Sequence, residues 1–531
     1  MANITLENFA GIAPKIRPAK LADELATESA NVRLSSGAIE AWRELSVGET
    51  VAANILTAFK YLGSWVTSTN RQSVVSGLIP NDVHDRIFYS DADYPKVRSG
   101  ADIYRLGLPR PSAPVPSITT AGDSTNITDV RNQRYVVTLV DGFGVEGPSS
   151  LPTDAYEVGL GGEVTLDLTP CTVTGAYKLG GADGGFYRIY RTNTGDYGTV
   201  YQYVGQVAYG SASFVDDVAP GELQEALLSA EWVAAPDDDG VLYPDGPLQG
   251  LIKAGDNVLA GFSGNTVFFS EPGVPTAWPY YYSAGATVVG LVKIQSGILV
   301  VTTGKPYLLV GDDPSVMTDV PIESDQSCTS GPSLVDMGAS AIYASPDGLV
   351  LVEGATAVLI TGEFIDRDTW QGYDPTSMRG YKYEGRYLCF YGNAGLGFVV
   401  DVNGGTAAIS PISGIDAYAG WNDTESDTLY LAHGTNLGIF DGGADAEFSW
   451  QSKDFIFPSP RSFSCGRIQG LAVDVNLTIY ADGVTRGPYP ISSTQEFRLP
   501  GGYEATTWRV KVEGTGAVDG IYLSESMSDL P

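Results

Sequence analysis

The sequence predicts an all-β chain, and three observations carry that prediction. Short runs rich in β-branched and aromatic residues lie between Gly, Asp, Asn and Pro punctuation, roughly every 8–12 residues. Examples are Tyr135–Val140 (YVVTLV), Gly297–Thr302 (GILVVT), Gly348–Val352 (GLVLV) and Gly397–Val402 (GFVVDV). Of 531 residues, 64 are Gly and 31 are Pro, which leaves little room for long helices. Strand pairs also recur about every 35–45 residues, the spacing of radial β repeats, which predicts a β-propeller.

Taken in order, residues 1–45 read as an N-terminal segment with a short helix over Ala19 to Asn31, where Leu21, Leu25 and Val32 recur at helical spacing after Pro18. Residues 46–110 read as the first blade, from Phe59–Val66 (FKYLGSWV) and Arg86–Lys96 (RIFYSDADYPK). The proline-rich stretch Leu108–Ser117 marks a boundary. Beyond it, residues 111–222 read as an inserted β-sandwich of about seven strands. Its Tyr187–Arg191 run (YRIYR) resembles the late strands of a fibronectin type III module.

A second helix is expected over Gly221 to Trp232. Residues 223–455 read as the remaining blades. Asp256–Phe262 (DNVLAGF) and Thr266–Trp278 (TVFFSEPGVPTAW) repeat the earlier pair, with weaker echoes at Ala341–Gly348 and Thr428–Asp441. Pairs at 50–98, 250–282, 288–312, 336–362, 380–402 and 417–441 give about six blades. The competing reading is a stack of unrelated hairpins. Residues 456–531 read as a C-terminal β domain, with clean alternation in Val473–Tyr480.

Composition excludes several classes. A 43% hydrophobic chain can bury a core, so wholesale disorder is out. Against 31 basic residues stand 63 acidic ones, net −32, which is the wrong sign for a general grip on nucleic acid. Residues 221–460 alone carry a net −23. That excess is either a solvated surface or a face that must not bind polyanions. Cys171, Cys328, Cys389 and Cys465 have no CxxC spacing and read as buried thiols of a protein made in a reducing cytosol. The opening MANITLENFAGIAPKIRP has no apolar signal region, and no run is long enough to span a bilayer, so no stable membrane insertion is expected.

Chemistry-bearing patterns are sparse. His84 and His433 are the only histidines and sit in no metal-binding frame. Asp366 and Asp368 flank Arg367, and Glu271 lies in a repeat loop; either could supply glycosidase carboxylates, although 63 acids guarantee coincidental pairs. Ser345-Pro346-Asp347-Gly348 resembles the Asp box of sialidase propellers but lacks its Thr-Trp. Asp237–Asp239 lacks the alternating ligand spacing of a calcium loop. The glycines of 159–162 lack the strand-to-helix setting of a phosphate cradle and read as turns. The expectation is no catalytic, cofactor-binding or metal residue, no cofactor, and no enzyme activity.

The segment from Phe9 to Asp23 (FAGIAPKIRPAKLAD), continuing through Ala30–Gly37 to Ile39–Arg43, resembles the opening of tail nozzle proteins of short-tailed bacteriophages, the tail tubular protein B type. Further similar stretches are GFSGNTVFFSEPGVPTAWP (261–279), TGKPYLLVGDDP (303–314), ASPDGLVLV (344–352) and FRLPGGYEATTWRVKVEGTG with LSESM (497–527). The resemblance covers most of the chain outside 111–222. It implies a structural virion protein made in the host cytoplasm, forming a homohexameric ring below the adaptor, or head-tail connector, with residues 1–45 in ring or platform contacts. Double-stranded genome DNA would pass through the channel without tight binding, and tail fibres or spikes would dock outside. The alternative is a glycan-binding or glycan-cleaving propeller protein of a phage tail, suggested by 30 Tyr and 8 Trp.

Overall fold

The computed structural model describes residues 3–79, 82–120, 122, 130–159, 161–195, 198–255, 257–402 and 408–531. Asp256, which opens one repeat, and Leu160 of the 159–162 glycine run lie outside the described residues. The chain is all-β and built from many small sheets; the one α-helix among the described residues is Arg367–Gly372. No helix among them is long and apolar enough to cross a membrane. Two compact units form, one from 1–71, 292–310 and 319–531, the other from 72–291 and 311–318.

In the first unit the chain ends are sewn together. Asn3–Leu6 pairs antiparallel with Gly520–Ser524, which continues to Cys465–Gln469 and Phe497–Arg498. Glu28–Ala30 pairs with Phe448–Gln451, and that strand with Ala505–Gly514, Val475–Ala481 and Val484–Ile491 in turn. Along Ala505–Gly514 the residues Trp508, Val510 and Val512 point inward on alternate positions. They share one core with Phe9, Val32, Ile39, Trp450 and Leu523. Ala10, Ala13, Leu21 and Leu25 enter a second core, and Trp42 a third. Residues 1–45 are therefore woven through this unit instead of forming a segment of their own. The C-terminal sheet likewise begins at Phe448, ahead of the expected boundary at 456.

Three four-stranded meanders belong to the same unit. One runs through Val335–Asp336, Ser340–Ala344, Leu349–Glu353 and Thr356–Leu359. The next runs through Arg379–Tyr383, Arg386–Tyr391, Leu396–Val400 and Ile409–Ser413. The third runs through Ala417–Asp423, Thr428–His433 and Asn436–Ile439, and its fourth strand is Glu49–Thr50 from the other end of the chain. That splice needs Gly48: a Cβ there would sit 1.9 Å from the Leu437 carbonyl oxygen. Thr57–Tyr61 and Ser64–Ser68 form a separate hairpin packed on Ala417–Asp423. A further four-stranded meander runs through Val288–Ile294, Gly297–Thr302, Tyr307–Val310 and Thr318–Pro321.

In the second unit, one meander runs from Ser73–Ser76 through Arg86–Ser90 and Lys96–Ser99 to Asp102–Arg105. It packs on another formed by Gln249–Gly255, Val258–Ser263, Thr266–Phe269 and Tyr280–Ser283, around Phe88, Leu248, Leu259 and Trp278. Residues 46–110 thus do not form a single blade. Their first strand closes a distant sheet, their hairpin forms a two-stranded sheet packed on Ala417–Asp423, and only 73–105 makes a four-stranded sheet. Between the two meanders of this unit lie eight strands from Val115–Thr120 to Ser213–Asp216. Tyr135–Val140 pairs with Phe186–Gly195, and that with Gly198–Ala208; Val115–Thr120, Glu163–Asp167 and Ser213–Asp216 form the facing sheet. Leu139, Ile189, Val164 and Leu166 meet in their common core.

Neither expected helix forms. Over Ala19–Asn31 there is one 3-10 turn, Pro18–Lys20, and then the strand Glu28–Ala30. Leu21 and Leu25 are buried, as their spacing foretold, but the backbone bonds outward: the amide of Ala10 donates to Glu24 O (2.7 Å), and that of Thr27 to Gln451 O (2.8 Å). Over Gly221–Trp232 the 3-10 turn Pro220–Glu222 gives way to extended chain. There the amides of Gln224 and Leu227 donate to Tyr203 O and Tyr201 O, at the edge of Gly198–Ala208. An open strand edge outcompetes a short, marginal helix.

Candidate functional site

The residues singled out in the sequence are engaged in local structure. Asp366 caps the helix Arg367–Gly372, accepting from the amide and hydroxyl of Thr369, both at 3.0 Å, while Asp368 sits in the first turn. Arg367 pairs with Asp347 at 3.1 Å. In the Ser345–Gly348 turn, Ser345 Oγ donates to Gln326 Oε1 (2.8 Å), and Trp370 Nε1 donates to Ser345 O (2.8 Å). Glu271 accepts from Tyr280 Oη at 2.7 Å, and that bond, with partial burial, pushes the phenol up to about 12. His433 Nδ1 accepts from the Asp416 amide (2.9 Å), and the His84 ring stands edge-on to Phe143. All four cysteines are free and buried.

The Asp237–Asp239 run pairs with a guanidinium instead of offering a calcium loop. Arg105, at the end of its strand, donates from Nη1 and Nη2 to the two carboxylate oxygens of Asp238 (2.8 and 3.0 Å), and Nη1 lies 3.4 Å from Asp237 Oδ2. The guanidinium stacks over Tyr94, 3.9 Å from the ring centroid, and Tyr177 stands 6.0 Å away. Burial, the largest single influence, opposes the charge on Arg105, but the hydrogen bonds to Asp238 together with the nearby Tyr177, Asp238 and Asp237 raise its pKa on balance; the bonds to Arg105 lower that of Asp238. Among the described residues, no group of His, Cys, Asp and Glu is arranged to hold a metal ion.

This ion pair anchors one side of a cavity of about 510 Å³. Tyr94 comes from the turn before Lys96–Ser99, Tyr177 from the loop before Phe186–Gly195, and Trp232 and Tyr243 from the strandless stretch ahead of Gln249–Gly255. That stretch is stiffened by its own acids. Asp237 Oδ1 accepts from the Asp239 amide (3.0 Å), and Asp239 Oδ1 accepts from the amides of Val241 (2.9 Å) and Leu242 (3.3 Å). Tyr243 Oη donates to Ala234 O at 3.2 Å. Leu242, 69% exposed, forms part of an apolar rim. Sequence reasoning had both halves, the acidic run and the Pro-rich boundary beside Arg105, but no signal joined positions 133 residues apart.

No family model and no curated protein matches the chain. Among solved structures it is similar to PorZ, a bacterial surface component of the type-IX secretion system of Porphyromonas gingivalis, at 12% identity and a TM-score of 0.31, over 77% of this chain and 43% of that one. The extracellular domain of a hybrid two-component system from B. thetaiotaomicron is similar at 8% identity and a TM-score of 0.30, over 82% and 43%. BamB from Moraxella catarrhalis is similar at 10% identity and a TM-score of 0.28, over 78% and 97%. The chain spans less than half the length of the first two. Similarity at this level carries no argument about function.

Proposed function

We propose that the chain is a structural virion protein, a subunit of the tail nozzle ring of a short-tailed phage, through which genome DNA leaves and on which tail fibres dock. One observation carries the reading. The two ends of the resemblance, residues 9–43 and 497–527, lie at opposite ends of the sequence, yet Phe9, Val32 and Ile39 share a core with Leu499, Trp508 and Leu523. Two of the stretches that resemble nozzle proteins therefore pack into one core.

In this reading the six four-stranded meanders are the blades of a propeller, and Glu49–Thr50, pairing with Asn436–Ile439, is the strand that closes it. The module at 111–222 is a fibronectin III-like insertion. In a ring, a neighbouring subunit would cover Val47, 97% exposed, and Leu62, 70% exposed. Head-to-tail contacts close at a fixed rotation, here taken as six-fold, with the adaptor ring as template.

The test is photo-cross-linking in virions from a cross-linking residue placed at position 62. The proposal expects cross-links to a second copy of this chain. Cross-links confined to unrelated virion proteins, or absence of the chain from the particle, would overturn it.

A further inference from the structure

We infer that the cavity anchored by Arg105 and Asp238 is a binding site for a neutral saccharide. Its volume of about 510 Å³ falls within the range of small-molecule sites, roughly 300–1,000 Å³. Its walls include the aromatic rings of Trp232 and Tyr243, the residue type against which the C–H face of a sugar ring can pack.

The polar groups narrow the ligand further. Arg105 is neutralised by Asp238, so it contributes little net charge. Arg110 also lines the cavity and makes no ion pair among the described residues, and the Trp232 indole N–H makes no hydrogen bond there. On the acceptor side, Asp239 Oδ1 is spent on the amides of Val241 and Leu242, which leaves Oδ2 open, and Asp237 Oδ2 is held only by the long 3.4 Å approach of Arg105.

The site thus presents open donors and open acceptors at once. A purely apolar ligand would displace water from them without replacing its hydrogen bonds. An anion meets Asp237 and Asp239; a cation meets Arg110 but also one carboxylate in excess, so spermidine is the charged competitor that the test must exclude. Vicinal hydroxyls on an apolar ring supply acceptors and donors together, next to a face that stacks. The walls are held by the Arg105–Asp238 pair and by side-chain-to-backbone bonds, so little ordering is needed on binding. The inference does not depend on the ring, since every group it uses lies in one chain.

The experiment is saturation-transfer NMR on the full chain with neutral trisaccharides of glucose, galactose, mannose and N-acetylglucosamine, and with inorganic phosphate and spermidine as charged probes in competition. Saturation transfer to the ring protons of at least one trisaccharide is expected, at least tenfold weaker binding in Trp232→Ala, and a similar loss in Arg110→Ala at unchanged melting temperature. Trp65→Ala, in the other unit, should bind as the parent does. No transfer to any trisaccharide, displacement of a bound trisaccharide by phosphate or spermidine, or binding undiminished in Arg110→Ala would overturn the inference. The nozzle reading fails on different data, the absence of the chain or of its homotypic cross-links in virions.

Discussion

Trp450 donates its indole N–H to the carbonyl oxygen of Ala10 at 3.0 Å, across 440 positions of sequence. Beside it, the Phe9 ring stands edge-on to Trp450, with centroids 5.0 Å apart. The opening residues are thus a structural part of the C-terminal β unit. Phe9→Ala should lower its stability by about 3–5 kcal/mol, the cost of emptying a buried aromatic site. Urea unfolding followed by tryptophan fluorescence checks this, and a loss below about 1 kcal/mol would contradict it.

That contact also marks where sequence reading stops. Strands with strong alternation or continuous burial, such as Tyr135–Val140 and Gly297–Thr302, were legible because their side chains alone determine the pattern. Leu21 and Leu25 were legible as buried residues but not as non-helical ones, because the backbone partners that decide, Gly11 and Gln451, lie elsewhere in the chain. The Glu49–Thr50 strand has two exposed residues and no hydrophobic signature, so nothing local announced its pairing with Asn436–Ile439. In the candidate site the Asp237–Asp239 run was visible, but its cation was not. Long-range pairing is written in two places at once, and one sequence shows each place separately.

Asp141 gives a pH-dependent prediction. Burial raises its carboxyl above its ordinary value of 3.8, although Oδ1 accepts from the amides of Phe143 and Val145, both at 2.9 Å. Between 3.8 and the raised value, the folded state keeps a proton that the unfolded chain has lost, so this group's contribution to stability falls as pH rises through that window. Asp141→Asn keeps an acceptor for both amides and removes the titration. Its stability relative to the parent should be greatest at neutral pH and should fall as pH drops through that window, as read from urea midpoints. A pH-independent difference would contradict the assignment.

The thiols should be inert in the folded protein. Burial pushes Cys171, Cys328 and Cys389 up to about 12 and raises Cys465 as well. An aromatic disulfide reagent at pH 8 should label none of the four before unfolding and all four in denaturant. Fast labelling of a native thiol would contradict the burial.

Charge sets the expected behaviour toward DNA. With a net −32 per chain and −23 within 221–460, the protein lacks the excess of cationic side chains that displaces phosphate counterions. At physiological salt the Debye length is about 8 Å, so acids near a duplex repel it only weakly and at close range. Mobility-shift assays at 0.15 M salt should show no retained duplex, and reversing several acids of 221–460 to Lys should create retention only where those residues line the channel. Tight binding by the unaltered protein would contradict the conduit.

The central claim, that this chain is one of six subunits in a tail nozzle, is tested most directly by a cryo-EM reconstruction of the virion tail. Six copies around a DNA-filled channel below the adaptor ring are expected. Three or twelve copies per particle, or a tail built without the chain, would contradict it.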